Sequence, residues 1–477
     1  MEEVTLQSTR QLEAALRIVG ELRRAGYEAY LAGGCVRDLM LGREPKDYDV
    51  ATSATPDAVL ELFEQTVAVG AHFGVVLVGT SGVVGDEAVG EGRVLTEVAT
   101  FRSDGVYSDG RHPDAVRYAK SAEEDVRRRD FTINGLLLDV DRVGPAELRS
   151  AGQSIPSSLR SGVIDFVGGI PDLDAGILRA IGRPETRFEE DHLRILRGIR
   201  FAARFGFELE GETKRAMRAQ ASRVNAVSRE RVRDELTKTL TEGRARRAFE
   251  LLDETGLLEE VLPDVARMKG VEQPPQFHPE GDVWVHTLGL LEQLERGCPM
   301  TLAWGALLHD VGKPPTFRRA SDRIRFDGHV EVGVAIAAEI CRRFRFSNEE
   351  MRQTLALVEN HMRFMDAGLM KASTLKRFFQ LERFEEHLAL HRMDCLAGSG
   401  HLEHWEFVRD RWQAMPEEIV RPKPLLTGRE LIAAGYRPGA RFKEMLRAAE
   451  DAQLEGTIGT VDEGLRLVKE RFGDASS

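Results

Sequence analysis

The 477-residue sequence predicts an α+β head followed by an all-helical remainder. Three observations carry that prediction. Short apolar, β-branched runs punctuated by Gly- and Asp-rich turns fill the first third of the chain: Tyr48 to Ala51, Val75 to Val78, Arg93 to Phe101 and Val163 to Phe166. From Glu189 the apolar residues recur at helical spacing instead. Between the first helix and the strands lies LAGGCVRDLMLGREPKDYDVAT (Leu31 to Thr52), which concentrates glycine, arginine and aspartate in one window.

Length alone gives a prior of about three domains. With 42% hydrophobic and 30% charged residues, the composition is that of a soluble globular protein. No apolar run approaches the ~20 residues of a membrane span. The start MEEVTLQSTR is acidic and polar, unlike a signal peptide. Four scattered cysteines, none in a CxxC pair, read as reduced thiols of a cytoplasmic protein. A net charge of −12 argues against a simple nucleic-acid binder, yet Leu193 to Arg247 holds 15 Lys and Arg against 7 Asp and Glu. That segment is either a track for a phosphate backbone or a solvated helix face.

The first element is a helix, Leu6 to Ala25, stopped by Gly26. If Tyr48 to Ala51 begin a strand, its two-residue period puts Asp47 and Asp49 on one face. Two hard oxygen ligands so placed can hold Mg²⁺, which shares its shell with water and substrate phosphates. Gly33 and Gly34, lacking Cβ, let backbone N–H groups approach a phosphate, and Arg37 adds charge. This is equipment for metal-assisted nucleotidyl transfer. Thr55-Pro56-Asp57 opens a short helix, Ala58 to Phe63. The strands Val75 to Val78 and Arg93 to Phe101 are expected to flank a Gly-rich loop, Gly79 to Gly92. Glu97 is either a third acid near the metals or a surface carboxylate, the second being expected. FRSDGVYSDGRHPDAVRY (Phe101 to Tyr118) reads as a mobile loop, and Asp141 to Ser161 as a surface insertion.

Two further stretches carry chemistry before the chain turns wholly helical. In RRDFTIN, Arg129 offers fixed donors to phosphate, while Asp130 and Asn134 can bond sugar hydroxyls. In EEDHLRILRGIRFAARFGF, Asp191 and Arg194 are one turn apart, and an acceptor beside a guanidinium fork can read the edge of a base. Arg197 and Arg200 extend the series. Farther on, after the proline-rich linker VEQPPQFHP, stand His286, His309-Asp310, His329, His361 and Asp394. Histidine and carboxylate ligands from several helices can build a divalent-metal site. His387 and His391 are expected to be ordinary, partly buried residues.

Taken together, GGCVRDLMLGREPKDYDVAT, RRDFTIN, VGGIPDLDAGILRAIG, EDHLRILR, HDVGKP and GRELIAAGYRPGARF resemble the class II tRNA nucleotidyltransferase (CCA-adding) and bacterial poly(A) polymerase family, with an HD phosphohydrolase-like module. The resemblance spans nearly the whole chain apart from the Asp141–Ser161 insertion. It implies a polymerase-β-like nucleotidyltransferase head (1–182), a helical neck and body that read the base and tRNA (183–270), an HD domain (271–400) and a helical tail (401–477). It also implies template-independent CCA addition to the acceptor stem's 3′ end from CTP and ATP. Asp47 and Asp49 would hold Mg²⁺. Gly33, Gly34, Arg37, Arg129, Asp130, Asn134, Asp191, Arg194, Arg197 and Arg200 would bind nucleotide. His286, His309, Asp310, His329, His361 and Asp394 would form a second site for Mn, Ni, Co or Mg. His112 stands where the family commonly has Arg. Rival readings are an A-adding or CC-adding partial enzyme, a poly(A) polymerase, an HD phosphodiesterase or phosphatase, and a non-catalytic RNA-binding protein.

Overall fold

The computed structural model describes the chain except residues 1, 68–73, 85–86, 105–115, 120, 145–146, 149–156, 277, 280, 322 and 475–477. Most of the expected mobile loop, His112 included, and about half of the expected insertion lie outside the described residues. Two compact units emerge, each built from two pieces of chain: residues 1–239 with 247–261, and 240–246 with 262–477. No helix among the described residues is long and apolar enough to cross a membrane.

The first unit is organised by a seven-stranded mixed sheet. Its strands are β1 (Ala29–Ala32), β2 (Val50–Thr52), β3 (Thr66–Val67), β4 (Val75–Val84), β5 (Glu87–Thr100), β8 (Leu136–Leu138) and β9 (Val163–Asp165), in the order β3-β4-β5-β2-β1-β8-β9. Among the described residues of this sheet only β2 and β5 pair in parallel, with Val50 beside Val98. A separate ribbon pairs β6 (Arg102–Asp104) with β7 (Val116–Tyr118). Alternation sets the two faces of the sheet. Val50, Thr52, Val76, Val78, Thr96, Val98 and Thr100 are all buried. The helix Glu2–Arg24 packs on these strands and buries Leu12, Ile18 and Leu22, each contributing roughly 1.5–3 kcal/mol. On the opposite face lie Asp49, Glu97, Leu77, Leu95 and Val67.

Two expectations need correction. The strand predicted from Tyr48 starts at Val50: Leu31–Val50 is the last registered pair, and Ala32 N still donates to the Asp49 carbonyl (3.0 Å) before the chain turns at Gly33. Asp47 and Asp49 therefore precede the strand, although exposed Asp47, buried Tyr48 and half-buried Asp49 still alternate. The Gly79–Gly92 loop is also mostly strand. β4 runs to Val84 and β5 starts at Glu87, with a register shift between Ser81 and Val83. Glycine at position 79 does not break the strand, because it pairs with Leu95 and Gln65 packs over it.

Past the sheet, the helices Pro184–Glu190 and Leu193–Phe205 follow, the second closed by Gly206 in the left-handed region. Among the described residues, the regular elements of the second unit are helices and a two-stranded ribbon at Arg318–Arg319 and Ile324–Arg325. Its aromatic core includes Phe364, Phe378, Phe379 and Phe384. The tail helix Ala440–Glu455 is tied to Ala372–Phe379, where Ser373 donates to Glu455 (2.9 Å) and Arg377 pairs with Glu450 (2.7 Å). A smaller core (Leu431, Tyr436, Met445, Val468) closes the tail.

Candidate active site and metal centre

In the first unit, a cavity of about 470 Å³ is lined by Gly33, Gly34, Arg37, Asp49, Arg129, Asp130, Asn134, Asp191, Arg194 and Arg197. Residues spaced across 160 positions thus meet at one end of the sheet. Gly33 makes this possible. It takes φ +73°, and a Cβ there would lie 2.8 Å from Nη1 of Arg129. The chain can then leave β1 and enter the helix Gly34–Met40 directly beneath that guanidinium.

A connected polar network shapes the cavity floor. Arg37 is buried, pairs with Asp38 (2.8 Å) and donates to Oδ1 of Asn134. Asn134 Nδ2 donates to Asp130 (3.0 Å), and Arg197 closes on the other Asp130 oxygen (2.6 Å). Burial opposes ionisation of Asp130, but Arg197 and the Asn134 amide overcome it and hold the carboxyl below the usual range. Asp49 is opposite in character: burial, then Glu97 and Asp47, push its carboxyl up to about 6, against the pull of Arg129. A carboxylate crowded by other carboxylates is short of positive charge, which suits a cation site. Asp47, Asp49 and Glu97 do not, however, bring three ligand atoms within 4.8 Å of one another; among the described residues only two groups in the second unit do. A cation in the head would take the rest of its shell from water and substrate.

Asp191 and Arg194 both face the cavity, but they are not helix-face neighbours as the spacing suggested. Asp191 is extended (φ −144°) between the two helices, accepts from Leu193 N (3.0 Å) and pairs with Arg231 (3.1 Å). Arg194 is held by Glu190 (2.5 Å) and by the carbonyls of Arg187 and Arg128 (both 3.1 Å). Arg200 does not line the cavity. It is buried against Glu235 at 2.5 Å and sits over Phe201, so its part of the arginine series is structural. The cavity also takes Arg128, Leu193, Phe201 and Arg231, which sequence reading passed over. Asp125 was missed too: buried, it fixes Arg128 (2.7 Å) and Arg129 (3.0 Å). Three consecutive arginines one turn past an acid were the available signal.

In the second unit, six residues converge from separate helical segments. His286 and Asp394 come from Val283–Glu292 and Phe384–Ala397. His309-Asp310 follow Met300–Leu308, His329 opens His329–Arg343, and His361 follows Asn348–Asn360. Their ligand atoms form two groups, His286/His309/Asp394 and Asp310/His329/His361. Asp310 joins them, with Oδ2 3.1 Å from His309 and Oδ1 3.7 Å from His361. Nδ1 of His309, His329 and His361 each lies 2.7–3.0 Å from a backbone carbonyl. A carbonyl can only accept, so Nδ1 carries the proton and Nε2 turns its lone pair inward. The Nε2 atoms of all three, and Oδ1 of Asp310, are buried with no hydrogen-bond partner. Buried acceptors left open in this way fit a metal. Gly312 allows the convergence, since a Cβ there would lie 2.0 Å from the His329 carbonyl. Lys313, also unforeseen, reaches Asp310 at 2.7 Å and Gln273 at 2.6 Å. His387 and His391 are more deeply buried than expected and pack on Phe384 and Phe364; burial lowers both to about 4.

Comparison with known proteins places these sites in context. Residues 29–179 match the poly(A) polymerase head domain, 206–269 the probable RNA- and SrmB-binding site of polymerase A, and 283–397 the HD domain. The chain is 36% identical over 283 residues to the CCA-adding enzyme of Lactobacillus johnsonii; that match takes in 58% of this chain and 64% of the relative, under two thirds of its length. With the CCA-adding enzyme of Streptococcus thermophilus it shares 30% identity over 95% of this chain and 96% of the relative. The structure of the Bacillus stearothermophilus CCA-adding enzyme in complex with CTP superposes with a TM-score of 0.70 at 26% identity, covering 96% of this chain and 97% of that one.

Proposed function

The chain belongs to the CCA-adding enzyme family of HD-bearing tRNA nucleotidyltransferases, and from that premise we propose that it completes the 3′ end of tRNA from CTP and ATP, releasing pyrophosphate without a nucleic-acid template. The observation that carries this reading is the single cavity holding Asp49, the phosphate-reading Arg129 and the base-reading Asp191 and Arg194. The test offers tRNA lacking its last three, last one or no nucleotides, with CTP, ATP or both. Products ending at CCA and going no further are expected. Extension by C alone or A alone, or a long A tail, would select one of the partial or poly(A) readings. The four-part division at residues 182, 270 and 400 belongs to this proposal, as does a cytoplasmic location, which four free thiols suit.

Asp47 and Asp49 would hold Mg²⁺ together with substrate phosphate. The chemistry such a cation supplies is a lowered pKa for the attacking 3′-hydroxyl and neutralised charge on departing pyrophosphate. The residues do the rest. Gly33 and Gly34 leave room for the triphosphate, and Arg129, held by Asp125, faces it. The Arg37–Asn134–Asp130–Arg197 network fixes the floor on which the ribose rests. Asp191 accepts from an exocyclic amino group and Arg194 donates beside it, each held in place by a different partner. Preorganisation of this kind aligns the α-phosphorus without a template strand.

A second activity is favoured by the open Nε2 acceptors of the HD cluster. We propose that His286, His309, Asp310, His329, His361 and Asp394 hold one or two divalent ions of the Mn, Ni, Co or Mg class. The site would hydrolyse a phosphomonoester or 2′,3′-cyclic phosphate. Model phosphates offered with each metal in turn test it; no hydrolysis with any of them would leave the module a scaffold.

A further inference from the structure

The acid-bearing face of the sheet continues past Glu97 as an apolar shelf. Glu97 on β5, Leu77 on β4 and Val67 on β3 follow one another across the strands in register, with Leu95 two residues from Glu97 on the same face; Asp49, just before β2, lies near Glu97 one step ahead of the Val50–Val98 pair. Leu95 is 55% exposed and Val67 53%, among the most exposed large apolar residues of the first unit. The other face of these strands is buried, so it is the acid-bearing side that leaves apolar groups in water.

The nucleotide cavity lies on the other side of Asp49. Its walls come from the end of β1 (Gly33, Gly34), from the segment leading into β8 (Arg129, Asp130, Asn134) and from the helix Leu193–Phe205. In-line displacement puts attacking and leaving oxygens on opposite sides of phosphorus. With the leaving pyrophosphate over β1 and β8, the attacking hydroxyl must come from over β5, β4 and β3. Resting on the nucleotidyl-transfer reading above, we infer that the Leu95–Leu77–Val67 shelf seats the 3′-terminal nucleoside of the acceptor RNA, its base covering the exposed side chains. An apolar platform grips any base by contact rather than by hydrogen-bond pattern. A single shelf can therefore serve an acceptor whose last nucleotide changes as synthesis proceeds.

The experiment is a double-mutant cycle on addition by the full-length protein. Wild type, Leu95→Ser and Val67→Ser are each given a tRNA minihelix ending in a normal or an abasic nucleotide, with melting temperatures checked. Leu95→Ser should raise KM for the normal acceptor about tenfold, with KM for CTP unchanged, and Val67→Ser should do so less strongly. The abasic acceptor should cost the wild type a similar factor and Leu95→Ser less than about twofold more. Multiplying losses, a raised KM for CTP, or unaltered acceptor kinetics in both variants would overturn the inference. A concentration-dependent dimer lost in Leu95→Ser would instead assign the shelf to a second copy of the chain. Wild type unable to extend either acceptor would refute the underlying function, an outcome distinct from all of these.

Discussion

In the head, Asp49 looks across at Glu97 and Asp47, and burial with those like charges pushes its carboxyl up to about 6. In the HD cluster, Asp310 is more deeply buried and Asp394 half-buried, yet both are held below the usual carboxylate range: Asp310 chiefly by His309 and Lys313, Asp394 by His286. One site is short of positive charge and the other supplies its own. In the proposed reaction the head's like charges would be relieved by a cation shared with substrate phosphate. Lys313 stands 2.7 Å from Asp310, so a metal held by that carboxylate would share it with an ammonium.

The sharpest way to break the comparison is to remove one set of acids and assay the other. Asp47→Ala or Asp49→Ala should cut nucleotide addition by about a thousandfold or more while HD hydrolysis and tRNA affinity stay within about twofold. Primer-extension rates and a binding titration measure both, and addition at wild-type rates would remove the acids from the mechanism. The reverse swap comes next. Asp310→Ala deletes the carboxylate shared by both ligand groups, so hydrolysis of a model phosphate should fall at least about a hundredfold, with metal content falling too and CCA addition unaffected.

A smaller effect sharpens the picture inside the head. Asp191→Ala removes an acceptor but leaves Arg194 anchored, so discrimination of CTP and ATP against UTP and GTP should drop about tenfold or more. Loss by one common factor for all four nucleotides would show that Asp191 only bridges to Arg231. The smallest change is in stability. The folded carboxyl of Asp49 lies above its ordinary 3.8, so the folded state binds the extra proton and this group's contribution to stability falls as pH rises from about 4 to 6. Without metal, Asp49→Asn should melt above wild type at pH 7, by no more than about 3 kcal/mol, with the gap closing toward pH 4. A variant less stable than wild type at pH 7 would contradict the like-charge account.

Legibility in the sequence followed the range of the interactions. Asp47, Asp49, Gly33 and Arg129 to Asn134 stood out because each group is a short string whose spacing encodes its geometry; the scattered HD residues stood out through HDVGKP and the order of histidines and aspartates around it. The pairing of Asp191 was misjudged because helical spacing said nothing of the extended break after Glu190, nor of Arg231 forty residues on. Arg200 looked like its neighbours at 194 and 197, and only the fold turned it inward to Glu235. Glycines at 79 and beyond suggested a loop, whereas pairing across β4 and β5 carried both strands through. Lys313 and Asp125 escaped notice because their work is to hold other side chains, although the i,i+3 and i,i+4 spacing of Asp125 to Arg128 and Arg129 was legible.

The interleaving of the two units has a consequence for how the chain is made. The segment Arg247–Val261 belongs to the first unit and supplies Phe249, Leu251, Leu252, Leu257, Leu258 and Val261, all essentially inaccessible to solvent. The seven residues just before it belong to the second. On the ribosome, where synthesis runs from the N-terminus, the first unit cannot close its core until residue 261 has left the exit tunnel. By then a strip of its neighbour has already emerged without the rest of its unit. A fragment cut at residue 239 would leave matching apolar surface open on the head and invite aggregation, whereas one ending after 261 would carry the full complement.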